Sequence, residues 1–165
     1  MADIKARYTF NRSDSTNLSV DSEEIAAALL FDTPETVQIA TVTLTAAQIK
    51  ALNTTPVSLI AAPGSGKVII IERLMAESIG VVAAFTGANA LEFKYAGTAT
   101  KVTADIPNTF INAVPGTPQY RTVGGVGDVV TPANTAVTVS VPLANPGGAT
   151  AAGTIRFTIA YRVFS

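Results

Sequence analysis

The chain contains no cysteine, no histidine and no tryptophan. Without thiols there can be no disulfide and no thiolate metal site, and without imidazole the usual acid, base and metal ligand near neutral pH is missing. Charge is scarce as well. Asp, Glu, Lys and Arg make up 14% of the 165 residues, against roughly a quarter in an ordinary globular domain, and they cancel to a net −1. Such a balance gives no electrostatic reason to expect nucleic acid as a partner. No apolar run approaches the eighteen or so residues needed to cross a bilayer, and the opening Met-Ala-Asp-Ile-Lys has no apolar signal core. No membrane partner and synthesis in the cytoplasm are therefore expected.

What is present is apolar. The hydrophobic fraction is 48%, so the exposed surface must be poor in charge, which favours a subunit partly covered by other chains over a free soluble domain. A chain of this length suffices for one well-buried domain with a separate arm and leaves little room for a two-domain enzyme. No cofactor and no metal are expected.

The most informative stretch runs from Leu44 to Leu74, LTAAQIKALNTTPVSLIAAPGSGKVIIIERL. Gly64 to Lys67 superficially matches a phosphate-binding loop, which cradles phosphates with backbone N–H groups at a helix N-terminus and needs a Ser or Thr after the Lys for Mg²⁺. Here Val68 follows Lys67, and Val68 to Ile71 are four β-branched residues that favour a strand over a helix. With Val57 to Ala61 extended on the other side, Pro63, Gly64 and Gly66 read as a structural turn at the tip of a β-hairpin. Before it, Thr45 and Gln48 have the spacing of a capping box and Leu44 with Ile49 that of a hydrophobic staple, which predicts a short helix from Ala46 to Leu52 ended by Asn53 and Pro56.

Residues 1–36 read as a small strand and helix arm, and residues 37–165 as the main domain. From Ile4 to Phe10, apolar Ile4, Ala6, Tyr8 and Phe10 alternate with Lys5, Arg7 and Thr9, a half-buried strand with its cations on one face. Asp21 and Glu24 then cap a helix from Ile25 to Phe31. The acids Asp21, Glu23 and Glu24 are accounted for by capping and the helix dipole, so no catalytic role is assigned to them or to any other residue. The arm is too short to bury a core alone, and Ile4, Lys5, Arg7, Tyr8 and Phe10 are candidates for contact with a partner, the strand joining a neighbour's sheet edge.

The remainder reads as strand after strand: Val37 to Leu44, Ile79 to Phe85, Ala90 to Tyr95, Ala99 to Ala104 and Ile106 to Ile111. Asn112 to Asn134 is crowded with Gly and Pro and reads as a long loop, with Tyr120 and Arg121 at its centre as partner-binding candidates because those residue types dominate interface hot spots. Val137 to Leu143 and Ile155 to Val163 alternate most clearly, and are expected to pair as antiparallel neighbours. About eight strands in the main region predict an all-β fold, a jelly-roll-like antiparallel β-sandwich with one short helix; an immunoglobulin-like topology is the alternative.

The segment LTAAQIKAL followed by TPVSLIAAPGSGKVIII, with the closing strand IRFTIAYRV, resembles a group of small tailed-bacteriophage virion proteins of the capsid decoration or cement type. The resemblance covers Val42 to Lys67 well and Ile155 to Val163 loosely. It implies a non-enzymatic protein on the outer surface of a phage head, partnered by the major capsid protein and acting as a homotrimer. A tail, baseplate or fibre adaptor is the second virion role, and a degenerate P-loop nucleotide-binding protein the third alternative.

Overall fold

The computed structural model describes residues 7–11, 17–21, 36–87, 89–112, 118–127, 130–148 and 152–165, and the chain divides into two compact units, Met1–Thr36 and Val37–Ser165. In the first, β1 (Arg7–Asn11) and β2 (Asn17–Asp21) form an antiparallel pair, Arg7 opposite Asp21 and Asn11 opposite Asn17. The helix expected over Ile25 to Phe31 lies outside the described residues.

The second unit is an all-β sandwich. Its elements are β3 (Gln38–Leu44), α1 (Ala46–Lys50), β4 (Val57–Ile60), β5 (Val68–Ala83), β6 (Glu92–Tyr95), α2 (Asn108–Ile111), β7 (Gln119–Gly124), β8 (Val137–Ser140) and β9 (Ala152–Phe164). One antiparallel sheet has the order β3-β9-β5-β7 and the other β4-β8-β6. Leu44, Leu74, Phe157 and Ile159 of the first meet Phe93, Tyr95, Val137 and Val139 of the second in one core, which Ile49, Leu52, Phe110 and Ile111 extend. Two contacts tie the layers directly. The rings of Phe93 and Phe157 meet edge to face at 5.6 Å, worth about 0.5–1.5 kcal/mol beyond the area they bury. The Tyr95 hydroxyl donates to the Ile69 carbonyl, and its burial raises the phenol pKa.

Local signals are realised around α1. The Thr45 side chain accepts from Gln48 N while Gln48 Oε1 accepts from Thr45 N at 2.9 Å, and the staple residues Leu44 and Ile49 are both fully buried. The regular helix stops at Lys50, where Ala51 caps it and the chain continues as turns.

Pairing departs from expectation in two places. β4 and β5 are not a hairpin: β4 pairs with β8 and β5 with β9 and β7, so Pro63 to Lys67 carries the chain from one sheet to the other. Nor do β8 and β9 pair. They lie in opposite sheets and face each other across the core, because alternation fixes which face a strand buries but not which strand lies beside it.

β5 is also longer than its pattern suggests. A bulge between Ile71 and Arg73 inserts one residue, so Ile69 and Ile71 face inward before it and Leu74 and Ala76 after it. This phase change divides one 16-residue strand into two apparent ones. Ala99 to Ala104 contributes only the bridges of Lys101 and Thr103, and Ile106 to Ile111 becomes α2, started by Pro107, instead of a strand.

Candidate interaction surface

The register of the four-stranded sheet aligns residues in rows across its outer face. Tyr120 of β7 lies opposite Glu77 of β5, Glu77 opposite Arg156 of β9, and Arg156 opposite Thr43 of β3. Tyr120 Oη donates to Glu77 Oε1 at 3.0 Å and Arg156 Nη2 donates to Glu77 Oε2, so the carboxylate is covered from both sides and Glu77 is 9% exposed on an otherwise open face. Holding its proton against this carboxylate raises the Tyr120 pKa. The next row is Thr122, Met75, Thr158 and Thr41, and the one beyond it Gly124, Arg73, Ala160 and Ile39.

This face is rich in hydroxyls and bordered by an apolar strand. Ile39 is 64% exposed on β3, and between Thr36 and Lys50 there is no charged residue. Among the described residues, the edge of β3 away from β9 carries no backbone hydrogen bond. At the bulge, Arg162 Nε lies 2.6 Å from Glu72 Oε1, a charge contact made off the N–H axis that leaves Nε without a hydrogen bond.

The outer face of the three-stranded sheet is different. An open groove of about 320 Å³ runs along it, bounded by Asn53, Pro56, Glu92, Lys94, Thr138 and Ser140. Beside it Glu92 meets both Lys94 and Lys101 Nζ, the latter at 3.2 Å, and Lys101 reaches Asp105 Oδ2 at 2.7 Å. Burial pushes the Glu92 pKa upward, but the hydrogen bonds and charges of the two lysines outweigh it and hold the carboxyl below its ordinary value. The Lys101 pKa is raised by its bond to Asp105, against desolvation, and by Glu92. The cluster is thus internally neutralised. Among the described residues no group of three or more carboxylates could hold a metal ion.

Tyr120 and Arg121 do not form one site. They are neighbours on β7, so strand alternation points Tyr120 to the outer face and Arg121 to the opposite side, along with Val123. Arg7, Tyr8 and Phe10 lie in β1, opposite Asp21, Val20 and Leu18, while Ile4 and Lys5 are outside the described residues.

Pro63, Gly64 and Gly66 form a tight connection. Gly64 and Gly66 have φ of 105° and 75°, and Lys67 N donates to Gly64 O at 3.2 Å. Asn134 clasps the loop, accepting from Gly64 N at 3.0 Å through Oδ1 and donating its own backbone N–H to Lys67 O at 2.7 Å. The loop amide of Gly64 is therefore already occupied, and a strand, not a helix, follows Lys67.

The covered carboxylate of Glu77, its partner Arg156 and the exposed Ile39 are absent from the sequence-derived candidates. Each belongs to an alternating strand, where the outward position alone carries no sign of cross-strand neighbours.

No protein-family model matches the chain, and no curated protein does. A solved structure described as the cyanophage Pam1 capsid asymmetric unit is similar over 78% of this chain and 84% of that chain, at 22% identity and a TM-score of 0.47.

Proposed function

We propose that this protein is a non-enzymatic structural component of a bacteriophage virion, a decoration protein that binds the outside of the head and clamps neighbouring major-capsid subunits as a homotrimer. The observation that carries this reading is the outer face of the four-stranded sheet. It is broad, hydroxyl-rich and bordered by the uncharged strand β3, and its carboxylates Glu72 and Glu77 are engaged by Arg162 and Arg156. Apart from the exposed Arg73, the charges of this face are engaged within it, and such a face suits burial against another protein better than it suits chemistry. The resemblance of Val42 to Lys67 to phage decoration proteins points the same way.

The strand order supports a jelly roll. Consecutive strands alternate between the sheets until β9 returns to lie between β3 and β5, and Lys101 bridges to Lys94 on the outer side of β6 where a fourth strand would run. In this reading the Met1–Thr36 unit is the anchor, with β1 available to a partner's sheet edge and Lys5 and Arg7 meeting acidic groups there.

The test uses phage heads stripped of this protein. Co-sedimentation should show saturable binding, negative-stain images should show added density on the shell, and decorated heads should melt at higher temperature. Binding to tails or baseplates alone would replace the decoration role with an adaptor role, and binding to neither would end the virion reading. Reversing Lys5 and Arg7 to Glu in the full chain should weaken binding most at low ionic strength, where rim charges act furthest.

A further inference from the structure

The groove on the outer face of the three-stranded sheet has a floor set by strand register. Glu92 lies opposite Ser140 and Lys94 opposite Thr138, so a carboxylate, an ammonium and two hydroxyls stand together in one patch. Asn53 and Pro56 border the patch from the chain after α1, Gly97 and Thr98 from the turn after β6, and Val141 and Pro142 from the end of β8. Its volume of about 320 Å³ lies at the lower end of the roughly 300–1,000 Å³ typical of small-molecule sites.

Charge in this groove is cancelled while its hydrogen-bonding capacity is kept. Lys94 and Lys101 balance Glu92, and the segments Ala51 to Gly66 and Val129 to Ile155, which supply two of the walls, contain no charged residue. Each carboxylate oxygen retains a second lone pair and Lys94 further N–H groups. Both side chains are sheltered, Glu92 being 12% and Lys94 27% exposed, which strengthens any hydrogen bond made there. Asn53 is held in place by donating through Nδ2 to Val141 O at 2.9 Å, while its Oδ1 and Ser140 Oγ have no hydrogen-bond partner among the described residues.

The rim beside β8 is kept in an unfavourable backbone conformation. Pro142 precedes Leu143, whose φ of 67° is uncommon for a bulky side chain, and the Pro142 carbonyl accepts from Asn89 Nδ2 and from Ala144 N, each at 2.9 Å. Such a conformation persists only where its surroundings over-determine it, and such sites cluster at ligand clamps.

We propose that this groove binds a neutral sugar, with Glu92, Lys94, Asn53 and Ser140 engaging its hydroxyls and Pro56 and Pro142 its C–H faces. A carboxylate accepts from two adjacent hydroxyls through its two oxygens, and such charge-assisted bonds are about twice as strong as neutral ones. Sugar hydroxyls both donate and accept, which matches acceptors at Glu92 and Asn53 and donors at Lys94 and Ser140. An anion would be opposed by Glu92 and a cation by Lys94, so the paired floor selects an uncharged polar ligand. The groove lies on the other sheet from the face proposed to meet the head, and the proposal does not rest on that reading.

Chemical-shift titration of the full isotope-labelled chain tests the site with glucose, galactose, mannose, N-acetylglucosamine and rhamnose, each as free sugar and as methyl glycoside, and with sodium phosphate beside them. At least one sugar should shift the amides of Lys94, Thr98 and Ser140 saturably, with a Kd in the millimolar range. Glu92→Gln should weaken that binding about tenfold or more, the size of a lost hydrogen bond to a charged group. Ser140→Val should weaken it as much by filling the floor, and because valine suits a strand this variant should melt like the wild type. Ser58→Val, on β4 of the same sheet but outside the groove, should bind as the wild type does. Binding of the methyl glycoside would identify the ligand as a unit of a longer glycan, and binding of the free sugar alone as a soluble sugar. No saturable shift with any sugar at tens of millimolar would overturn the proposal. So would binding that both groove variants leave unchanged, or phosphate shifting these amides where no sugar does.

Discussion

Gly125, just after β7, offers a sharp test of how the sandwich is held together at the β5 bulge. Its backbone N–H donates to Glu72 O at 3.2 Å, it bridges to buried Thr103, and the next residue, Val126, donates to Val102 O at 3.0 Å. A methyl group at Gly125 would overlap the Ile71 carbonyl oxygen and come within 2.9 Å of the carbonyl carbon. Both are backbone atoms, so no rotamer change can relieve the overlap. Either the bulge flattens or the segment lifts and gives up its two hydrogen bonds, each worth roughly 1 kcal/mol net, and Thr103 loses its cover. Gly125→Ala should therefore cost about 2–4 kcal/mol. For a domain of this size that lowers Tm by roughly 10 °C, at about 3–5 °C per kcal/mol. Gly124→Ala is the control, since a methyl there meets only Glu72 O at 4.0 Å, an ordinary contact. Urea denaturation and calorimetry of both variants decide the matter. A Gly125→Ala protein within about 0.5 kcal/mol of the wild type would mean that the close approach is not part of the native packing.

Two more predictions follow from the geometry. Lys67→Ala should be nearly silent in stability and titration calorimetry should detect no ATP–Mg²⁺ binding, whereas Gly66→Val, forced to a φ of 75°, should lose roughly 1 kcal/mol or more; micromolar ATP affinity abolished by Lys67→Ala would reverse the reading of that loop. Because the Glu92 carboxyl is held below its ordinary value of 4.5, its ion cluster contributes fully above that pH and the contribution is lost as pH falls through the lowered value, so Tm should drop in mild acid and Lys101→Met should flatten the profile; parallel curves for the two proteins would remove the cluster from the stability account.

How much was legible in the sequence depended on distance along the chain. The capping box at Thr45 and Gln48 and the staple of Leu44 with Ile49 were readable because they link residues only a few positions apart. The positive φ of Gly64 and Gly66 was readable because only glycine adopts it freely. The all-β sandwich followed from repeated alternation. Partners were not readable: β8 and β9 each alternate cleanly, yet pair with other strands, because their own hydrophobic patterns are satisfied equally well beside each other or across a core. The bulge at Glu72 concealed the length of β5 by reversing its phase. β7 was submerged in a Gly- and Pro-rich stretch, though Tyr120 and Thr122 on one side with Val123 on the other already carried a weak period of two. Tyr120 was singled out by residue type alone, and its covered partner Glu77 lies 43 positions away, beyond any local pattern.

The placement of β9 between β3 and β5 has a consequence for the birth of the molecule. Gln38 pairs with Tyr161, so about 120 residues must be synthesised after β3 before β9, its one sheet neighbour among the described residues, exists. At a translation rate of roughly 5–20 residues per second, β3 waits for about 6–25 seconds with both edges bare. Throughout that time it has no lysine, glutamate or proline to deter pairing with another nascent strand. Crowded polysomes would be the hardest place to make such a protein, and its yield there should depend on chaperones that shield exposed strands until the chain has left the ribosome.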